Sequence, residues 1–567
     1  MTLHGHGTPR GGAKRSRIRL LLGVVAALGA GAVGHGGCKD GRLECDDNES
    51  CPLGEACVFG ECVPRLSEPR PLWSLEVRGV PNLPPREFPQ LPISGAPLSL
   101  TLDAGVMAMV QLTGSPPATA AEPTELPALL AIPSAIPGRR DLMFEAVGRP
   151  AGAPPPYEFS WLLPSDTLGR TAEMRLVPGA PLYRQMPPWR LPWQVASAVT
   201  LNLPGADDTL VLSGTLENPA PEAPAQLEAR VVAGDRLLSN VVSVKSGERF
   251  ELRMQKSVLA ALAGSAYANQ LEVVLRPPES QPGQAQLSVP ITPGKIDLGA
   301  LRPPLLPPAT AVTVPVVQTP PAGGRELPVA GATVVFSTSL EATAPVRATY
   351  SRASQTDATG RATFSLIPGS GGDTRRYVVR IIPPATSSAG ALCVPDYPVA
   401  AAVSDTPRVG ATIRLPRRAA LGGRVLRADG RPAASVRVRA TRQGDLFGPE
   451  CGGGAAPTPA EITTDGDGVF GLWVDPGVYR IEYEPPVGSA LPHFREEDIL
   501  IGADLHRDVV LPRGLAVEGA VTDGTGAPVG MAEIRAFSLD AQGRAQVEGK
   551  ALSGRDGTFR LVLPQKP

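Results

Sequence analysis

Apolar and polar side chains alternate in short runs through the C-terminal third of the chain, with turn residues between the runs. Val436–Ala440, Phe470–Val474 and Tyr479–Tyr483 each place every second side chain on one face, which is the pattern of a half-buried β-strand. Thr464–Gly468 and Asp475–Gly477 separate these runs, and their Asp and Gly residues favour tight turns. Short strands at regular spacing predict an antiparallel β-sandwich.

The pattern recurs at a fixed offset along the chain. Four short elements return 96 residues later without a gap. The matched elements begin at Leu415 and Leu511, Gly423 and Gly519, Gly430 and Gly526, and Arg439 and Arg535. Repetition at the length of a domain predicts tandem sandwiches that follow one another.

The glycines and apolar residues of the repeat resemble the carboxypeptidase regulatory-like domain, a transthyretin-like sandwich that is also grouped with carbohydrate-binding-like folds. The residues that carry the resemblance are Gly423-x-Val425, Asp429-Gly430-x-Pro432, Val436-x-Val438, Thr464-Asp465, Gly468-x-Phe470-x-Leu472 and Gly477-x-Tyr479. The resemblance covers residues 417–567, with a further copy over 325–385. It implies a structural or binding role and brings no catalytic residue with it.

The last copy of the repeat is expected to be incomplete. The resemblance implies that residues 513–567 lack counterparts of the Tyr479–Tyr483 strand and of the strand near Val509. A sandwich without those strands has unpaired backbone groups and an uncovered apolar face. We therefore expect 513–567 not to fold alone, and either to pack on 417–512 or to accept a strand from a partner.

The rest of the chain divides by composition. Residues 67–195 combine strand-like runs with proline-rich passages, which predict an irregular β domain or, alternatively, a stiff spacer of polyproline II character. Lys256–Gly264 predicts a short helix. The predicted divisions are a signal peptide at 1–37, a Cys-rich module at 38–66, the Pro-rich β domain at 67–195, a β-sandwich at 196–302, carboxypeptidase regulatory-like sandwiches at 303–416 and 417–512, and a partial repeat at 513–567.

The N-terminal residues have the pattern of an export signal. Basic residues precede the apolar run Ile18–Leu28, which is shorter than the ~20 residues of a membrane span. The segment that ends in Gly36-Gly37-Cys38 resembles the lipobox of bacterial lipoproteins. The resemblance implies that Cys38 is lipidated. The alternative is ordinary signal-peptidase cleavage, with Cys38 as a disulfide partner.

The cysteine count fits an exported protein. Of the seven cysteines, six remain for pairing when Cys38 carries lipid. Four of them lie close together, at Cys45, Cys51, Cys57 and Cys62. So short a segment cannot bury a core, so it predicts a small knot with two disulfides, similar to the knots that follow the signal in many myxobacterial surface proteins. A zinc site is the alternative, but the cluster has no CxxC pair. Cys393 and Cys451 are the candidates for a third disulfide.

Composition argues against catalysis and against nucleic-acid binding. Gly and Pro supply 62 and 64 of the 567 residues, which favours strands and turns over helices. The formal net charge of −1 gives no basic field for nucleic acid. The sequence has five histidines and no recognised catalytic motif. We therefore predict no enzyme activity, no cofactor and no metal site.

Three aromatic residues are the candidates for a ligand platform. Trp473, Tyr479 and Tyr483 supply flat rings of the kind that cover sugar faces. Trp473 is out of phase with its apolar neighbours, so it is expected to point away from the core. Packing against a loop or a neighbouring module is the alternative role for these rings.

These features together predict a non-catalytic, lipid-anchored protein of a Gram-negative cell envelope, at the outer membrane or facing the periplasm. Its modules are expected to present loops to a protein or glycan partner, while the lipid binds the membrane. Binding of polysaccharide or peptidoglycan is the second hypothesis. An unrecognised enzyme within residues 67–300 is the third.

Overall fold

Strands form nearly all of the secondary structure, which confirms the all-β prediction. The computed structural model describes residues 51, 55–59, 61–64, 70–93, 95–113, 125–150, 157–176, 188–203, 208–217, 226–234, 236–263, 271–278, 285–291, 296–319, 324–370, 373–401, 408–452 and 458–565. The predicted signal peptide, Cys38 and Cys45 lie outside these residues. Within them the only α-helix is α1, Lys256–Ala263, where the sequence predicts one.

A disulfide-bonded hairpin comes first among the described strands. Strand β1 (Glu55–Val58) pairs antiparallel with β2 (Glu61–Pro64). Cys51 and Cys62 form a disulfide with their Cα atoms 5.5 Å apart, and Cys57 is also disulfide-bonded. The hairpin is therefore disulfide-bonded, as expected for this part of the Cys-rich module.

Three strands follow the hairpin, and two of them, β3 and β5, also pair with strands at the other end of the chain. They are β3 (Arg70–Arg78), β4 (Arg86–Ile93) and β5 (Leu98–Leu102). Strands β3 and β4 pair with each other, whereas β5 belongs to a different sheet. The module that these strands complete is described last, as module E.

Module A comprises residues 106–202. Its strands are β6 (Val106–Thr113), β7 (Leu126–Ile132), β8 (Leu142–Pro150), β9 (Tyr157–Leu163), β10 (Thr171–Leu176), β11 (Trp189–Gln194) and β12 (Ala198–Asn202), and a 3-10 turn covers Ser165–Thr167. The strand order is β11-β10-β7-β8-β9-β6-β12. Strand β8 joins the two halves of this sheet, which enclose one core that includes Leu130, Phe159 and Trp161.

The expected single domain at 67–195 is therefore wrong. Residues 70–102 belong to module E and not to this domain, and β12 extends module A beyond residue 195. The spacer alternative is wrong for the described strands as well, because they bury alternate side chains in a common core. Tyr157–Leu163, for example, alternates buried and exposed residues over most of its length.

Module B comprises residues 209–301. Its strands are β13 (Thr209–Leu216), β14 (Gln226–Ala233), β15 (Arg236–Leu237), β16 (Val242–Lys245), β17 (Arg249–Gln255), β18 (Leu271–Arg276), β19 (Gln286–Pro290) and β20 (Asp297–Leu301). One sheet has the order β17-β13-β20 and the other runs from β14 through β18 to β19. Alternate residues of β14, from Leu227 to Ala233, are buried between them.

Module C comprises residues 310–415. Its strands are β21 (Thr310–Gln318), β22 (Leu327–Pro328), β23 (Thr333–Leu340), β24 (Arg347–Gln355), β25 (Arg361–Leu366), β26 (Arg375–Ile382), β27 (Leu392–Val399), β28 (Arg408–Val409) and β29 (Ile413–Leu415). Strands β24-β23-β26-β27 form one layer, and β21 with β25, β28 and β29 forms the other. Phe336, Phe364 and Tyr377 pack between the layers.

Module D comprises residues 419–511. Its strands are β30 (Ala419–Leu426), β31 (Arg437–Gln443), β32 (Ala460–Thr463), β33 (Val469–Val474), β34 (Gly477–Glu484), β35 (Phe494–Ile501), β36 (Leu505–His506) and β37 (Val509–Val510), with a 3-10 turn at Pro449–Cys451. One layer places β33 beside β30, which pairs in parallel with β36 and β37. The other has the order β32-β31-β34-β35.

Module E joins the two ends of the described chain. Strands β38 (Gly514–Asp523), β39 (Glu533–Leu539), β40 (Ala545–Leu552) and β41 (Thr558–Pro564) form sheets with β3, β4 and β5. One sheet has the order β41-β38-β5, with β5 parallel to β38. The other has the order β4-β3-β39-β40. Their common core contains Trp73, Leu75 and Leu100 from one end and Val517 and Phe559 from the other.

Modules D and E have the same arrangement of strands. In the repeat, β38 corresponds to β30 and β39 to β31. Strand β3 pairs with β39 as β34 pairs with β31, and β5 lies parallel to β38 as β37 lies parallel to β30. The bulge between β34 and β35 also recurs between β3 and β4, with Asp498 and Gln90 at positive φ in the two copies.

Residues 70–102 thus occupy the positions that the sequence leaves unfilled in the last repeat. The expectation that 513–567 packs on 417–512 or accepts a strand from a partner did not foresee this source of strands. The source is neither module D nor a partner molecule, because the strands belong to the same chain.

Candidate functional site

The strands from residues 70–102 close the modules into a circuit. The chain leaves module E at the end of β5, continues directly into β6 of module A, and passes through B, C and D before it returns to E at β38. The junctions between consecutive modules contain buried ion pairs and an inter-module disulfide, and they form the candidate functional site.

Arg139 of module A forms ion pairs with both β3 and β4 of module E. These strands and β5, which residues 70–102 contribute to module E, are called the donated strands. Nη2 of Arg139 lies 2.8 Å from Oε1 of Glu76 on β3, and its Nη1 lies 2.8 Å from Oε1 of Glu87 on β4. The two carboxylate side chains are only 2% and 3% exposed. Glu76 and Glu87 are also directly opposite each other on β3 and β4, where like charges are destabilising. Arg139 therefore neutralises a repulsive buried pair.

The loop that carries Arg139 makes further contacts with module E. Glu87 accepts hydrogen bonds from the Ser134 hydroxyl at 2.5 Å and from the Ala135 backbone N–H at 2.6 Å. The Arg139 guanidinium lies 4.8 Å from the centre of the Phe537 ring on β39. The Ala545 N–H donates to the carbonyl of Gly138 at 2.9 Å. One loop of module A thus contacts both the donated and the accepting strands.

The junction between C and D is held by a disulfide and a buried ion pair. Cys393 on β27 is bonded to Cys451 of module D, with Cα atoms 6.3 Å apart. Arg418 and Asp475 pair at 3.1 Å with side chains 7% and 16% exposed. Arg418 Nη1 also donates to the carbonyl of Pro384, and the Asp475 carboxylate accepts from the Ala391 N–H at 2.7 Å. Arg418, which immediately precedes module D, and Asp475 within it therefore both bind the backbone of module C.

Modules A, B and C are joined through backbone hydrogen bonds. The buried amide of Gln255 accepts from the Arg190 N–H at 2.9 Å and donates to the Arg190 carbonyl at 3.0 Å, which joins A to B. Strand β19 of module B pairs antiparallel with β24 of module C. One layer of module B and one layer of module C therefore form a single continuous sheet.

A charged cleft of ≈ 240 Å³ lies at the junction of D and E. Glu484 on β34 accepts hydrogen bonds from Arg437 of its own module and from Lys550 on β40. Burial opposes ionisation of Glu484, but the hydrogen bonds from Lys550 and Arg437 outweigh it and hold its pKa at about 2. Arg495 of D pairs with Glu548 of E at 3.2 Å. The charges that line the cleft therefore join the two modules.

His493 lines the same cleft and is held neutral. Burial lowers its pKa to about 4, against the opposing attraction of Glu484. The charged neighbours of His493 in the cleft take part in the ion pairs and hydrogen bonds described above, between Arg437, Glu484 and Lys550 and between Arg495 and Glu548. The cleft thus has the chemistry of a packed interface.

The aromatic platform expected at Trp473, Tyr479 and Tyr483 is wrong. Tyr479 and Tyr483 are 4% and 2% exposed and belong to the core of module D, because they lie on the inward face of β34. Trp473 lies on the opposite layer, in β33. The Arg417 guanidinium lies 5.1 Å from the centre of its ring. The three rings therefore share no surface.

Two further observations concern the described residues alone. No group of three or more His, Cys, Asp or Glu side chains there is arranged to hold a metal ion. No helix among them has the length and apolar character needed to cross a membrane.

Sequence reasoning missed Arg139, Glu76 and Glu87. Glu76 and Glu87 lie on strands and Arg139 lies in a loop. Ordinary solvent-exposed charges occupy the same kinds of position, so no local sequence pattern distinguishes these three residues. Their contact is between modules: the pairing of β3 with β39 places Glu76 in module E, and the loop of module A that carries Arg139 lies against it and against Glu87.

Comparisons with known proteins find distant structural likeness only. No family model and no curated protein matches the chain, so the resemblance to the carboxypeptidase regulatory-like domain stays a prediction. A streptococcal ancillary pilin is 12% identical, with 53% of this chain and 98% of that chain covered and a TM-score of 0.20. GBS52, the minor pilin of Streptococcus agalactiae, is 13% identical over 36% of this chain and 96% of its own, also with a TM-score of 0.20. The shaft pilin SpaA of Lactobacillus rhamnosus GG is 14% identical over 36% and 97%, with a TM-score of 0.18. Such low TM-scores carry no argument about this chain.

Proposed function

We propose that this protein is a non-catalytic, lipid-anchored component of the cell envelope that presents β-sandwich modules in fixed relative positions to a protein or glycan partner. The observation that carries the proposal is the set of junctions. Successive modules are joined by a disulfide, ion pairs, hydrogen bonds from a buried amide or a continuous sheet, and module E closes the circuit.

Fixed geometry is the property that these junctions supply. Domains in one chain move relative to one another by default unless their interface is large or specifically bonded. Ion pairs such as Arg139–Glu87 and Arg418–Asp475 have few alternative partners once they are buried, so they favour a single arrangement. A protein whose task is presentation needs this property, whereas a set of independent binding domains does not.

The envelope location is proposed from the sequence of the N-terminus. The basic start, the apolar run and Cys38 support export and lipidation. The disulfide-bonded hairpin, which follows Cys38 in the chain, packs its Ala56 and Val58 against Ala516 and Val562 of module E. We propose that this hairpin connects the anchor to the closed circuit.

Cell fractionation tests the anchor. Cys38→Ser is expected to move the protein from the membrane fraction to the soluble fraction. The double variant Cys393→Ser/Cys451→Ser is the matched control, since it also removes thiols but leaves the N-terminus intact, and it should remain in the membrane fraction. Recovery of the Cys38→Ser variant in membranes at the wild-type level would contradict lipidation.

Chemical cross-linking on intact cells tests presentation. Wild-type protein should yield cross-links to an envelope protein or glycan through residues of its exposed loops. Purified protein incubated with envelope extracts should leave their polysaccharides and proteins unchanged by mass spectrometry. The appearance of new hydrolysis products, absent when the protein is heat-denatured first, would contradict a non-catalytic role.

A further inference from the structure

Module E is assembled from two segments that the rest of the described chain separates. Residues 514–564 form four strands, and residues 70–102 supply the other three. Modules A to D occupy the sequence between these segments. In contrast, modules C and D each draw their strands from one continuous stretch.

The donated strands are essential to the core of module E. Trp73, Leu75, Val77 and Leu100 are each 5% exposed or less in the shared core. Strand β3 pairs with β39 over five positions, and β5 pairs with β38 over five positions. Without residues 70–102, both sheets of the acceptor would have an open edge next to uncovered apolar side chains, which is a surface that pairs with another strand.

The same strands from a second molecule satisfy every one of these contacts. The acceptor recognises residues 70–102 by their sequence, which is identical in every copy of the chain. Module A follows β5 after only residues 103–105, so it accompanies the donated strands. Arg139 then keeps both of its partners, because Glu76 and Glu87 belong to the donated segment.

We propose that a second copy of this chain is a partner of module E, and that two copies exchange residues 70–102, together with the attached module A, to form a strand-exchanged dimer. Exchange of an identical element needs no new interface chemistry. The choice between the closed monomer and the dimer is made when module E closes. Closure within one chain competes at a fixed effective concentration, whereas exchange depends on protein concentration.

Cysteine cross-linking between two differently substituted full-length chains tests the proposal. Thr101 on β5 and Thr522 on β38 are register neighbours with hydroxyl oxygens 3.3 Å apart. Chains with Thr101→Cys are mixed with chains with Thr522→Cys, unfolded with their native disulfides intact, refolded together and mildly oxidised. Covalent dimers on a non-reducing gel then report exchange. A tenfold higher refolding concentration should raise the ratio of dimer to monomer about tenfold while the dimer is the minor species.

The matched control uses strands that are neighbours within one module. Ser337 on β23 and Ser351 on β24 are register neighbours with hydroxyl oxygens 3.1 Å apart. A mixture of Ser337→Cys and Ser351→Cys chains should stay at background, because these strands belong to one continuous segment. Equal dimer yields from the two mixtures would overturn the proposal, since they would indicate non-specific oxidation.

The single-chain variant Thr101→Cys/Thr522→Cys shows whether this pair can form a disulfide. If it closes within one chain while the mixed chains remain monomeric at every concentration, the proposal is overturned. If it does not close, light scattering of refolded wild-type protein decides. A dimer that increases with refolding concentration and persists on dilution supports exchange, and a monomer throughout refutes it.

Discussion

Removal of the Arg139 guanidinium is the most direct test of how the circuit is held closed. The substitution Arg139→Met keeps the length and the apolar stem of the side chain, so it changes the charge with little change in packing. It removes the 2.8 Å ion pairs to Glu76 and Glu87 together. Two nearly buried carboxylates then oppose each other across β3 and β4 without a cation.

The magnitude follows from the burial of the carboxylates. Removal of one partner from a buried ion pair costs about 3–5 kcal/mol. Arg139 is itself 18% exposed, which reduces the cost, whereas the loss of its contact with the Phe537 ring adds about 0.5–1 kcal/mol. Glu87 keeps its hydrogen bonds from Ser134 and Ala135. We therefore expect the free energy of local opening of module E to fall by about 3 kcal/mol.

Hydrogen exchange measured by mass spectrometry locates this loss. Peptides from 70–102 and 514–564 should exchange roughly 100-fold faster in Arg139→Met, because each 1.4 kcal/mol corresponds to about a factor of ten. Peptides of module B should keep their wild-type rates. Arg140→Met is the matched control, since the neighbouring Arg140 is exposed, and it should change exchange by less than about a factor of three.

A second substitution separates charge from packing. Glu76→Gln in the Arg139→Met background removes one of the two uncompensated charges, so part of the protection should return. Unchanged exchange of 70–102 and 514–564 in Arg139→Met would refute the idea that this cluster closes the circuit. Equal acceleration in module B would show instead a loss of stability across the chain.

Three further predictions concern the other junctions. Because burial lowers the pKa of half-buried His493 to about 4, its protonation in the unfolded state should remove about 2 kcal/mol of stability between pH 6.5 and 4.5; His493→Phe should reduce this pH dependence in scanning calorimetry. A Cβ atom at Gly519 would lie 2.6 Å from the Leu98 carbonyl and from the Phe559 ring, so Gly519→Ala should cost about 1–3 kcal/mol and accelerate exchange in β5 and β38. Replacement of Cys393 and Cys451 by Ser should destabilise modules C and D by about 2–4 kcal/mol in urea unfolding.

Each of these predictions has an outcome that would contradict it. A pH slope that survives in His493→Phe would contradict its assignment to His493. A Cβ at Gly471 would meet open space, so Gly471→Ala should have little effect, and equal costs for the two glycines would contradict a steric block at β5. An unchanged urea midpoint after loss of the disulfide would show that Arg418 and Asp475 suffice at the C–D junction.

Local pattern predicted three strands of module D. Alternation is a property of a few neighbouring residues, so Phe470–Val474 and the run around Tyr479 are recognisable without a partner. The 96-residue repeat led to the expectation that 513–567 does not fold alone and either packs on 417–512 or accepts a strand from a partner. The phase of alternation at Trp473 predicted that this ring leaves the core, and in the structure it lies beside Arg417.

The same reasoning failed where partners are distant. Trp73, Leu75 and Val77 alternate as Tyr479, Ile481 and Tyr483 do, but alternation says nothing about which strand lies alongside.

The sequence by itself determined the all-β class and the 96-residue repeat, because each depends on residue type and short spacing. Only the tertiary structure decided that residues 70–102 complete module E, that Tyr479 and Tyr483 are buried, and that Arg139 neutralises Glu76 and Glu87. The physical reason is that strand pairing and charge neutralisation are contacts between distant residues. Their free energy depends on which surfaces meet after folding, and no local pattern contains that information.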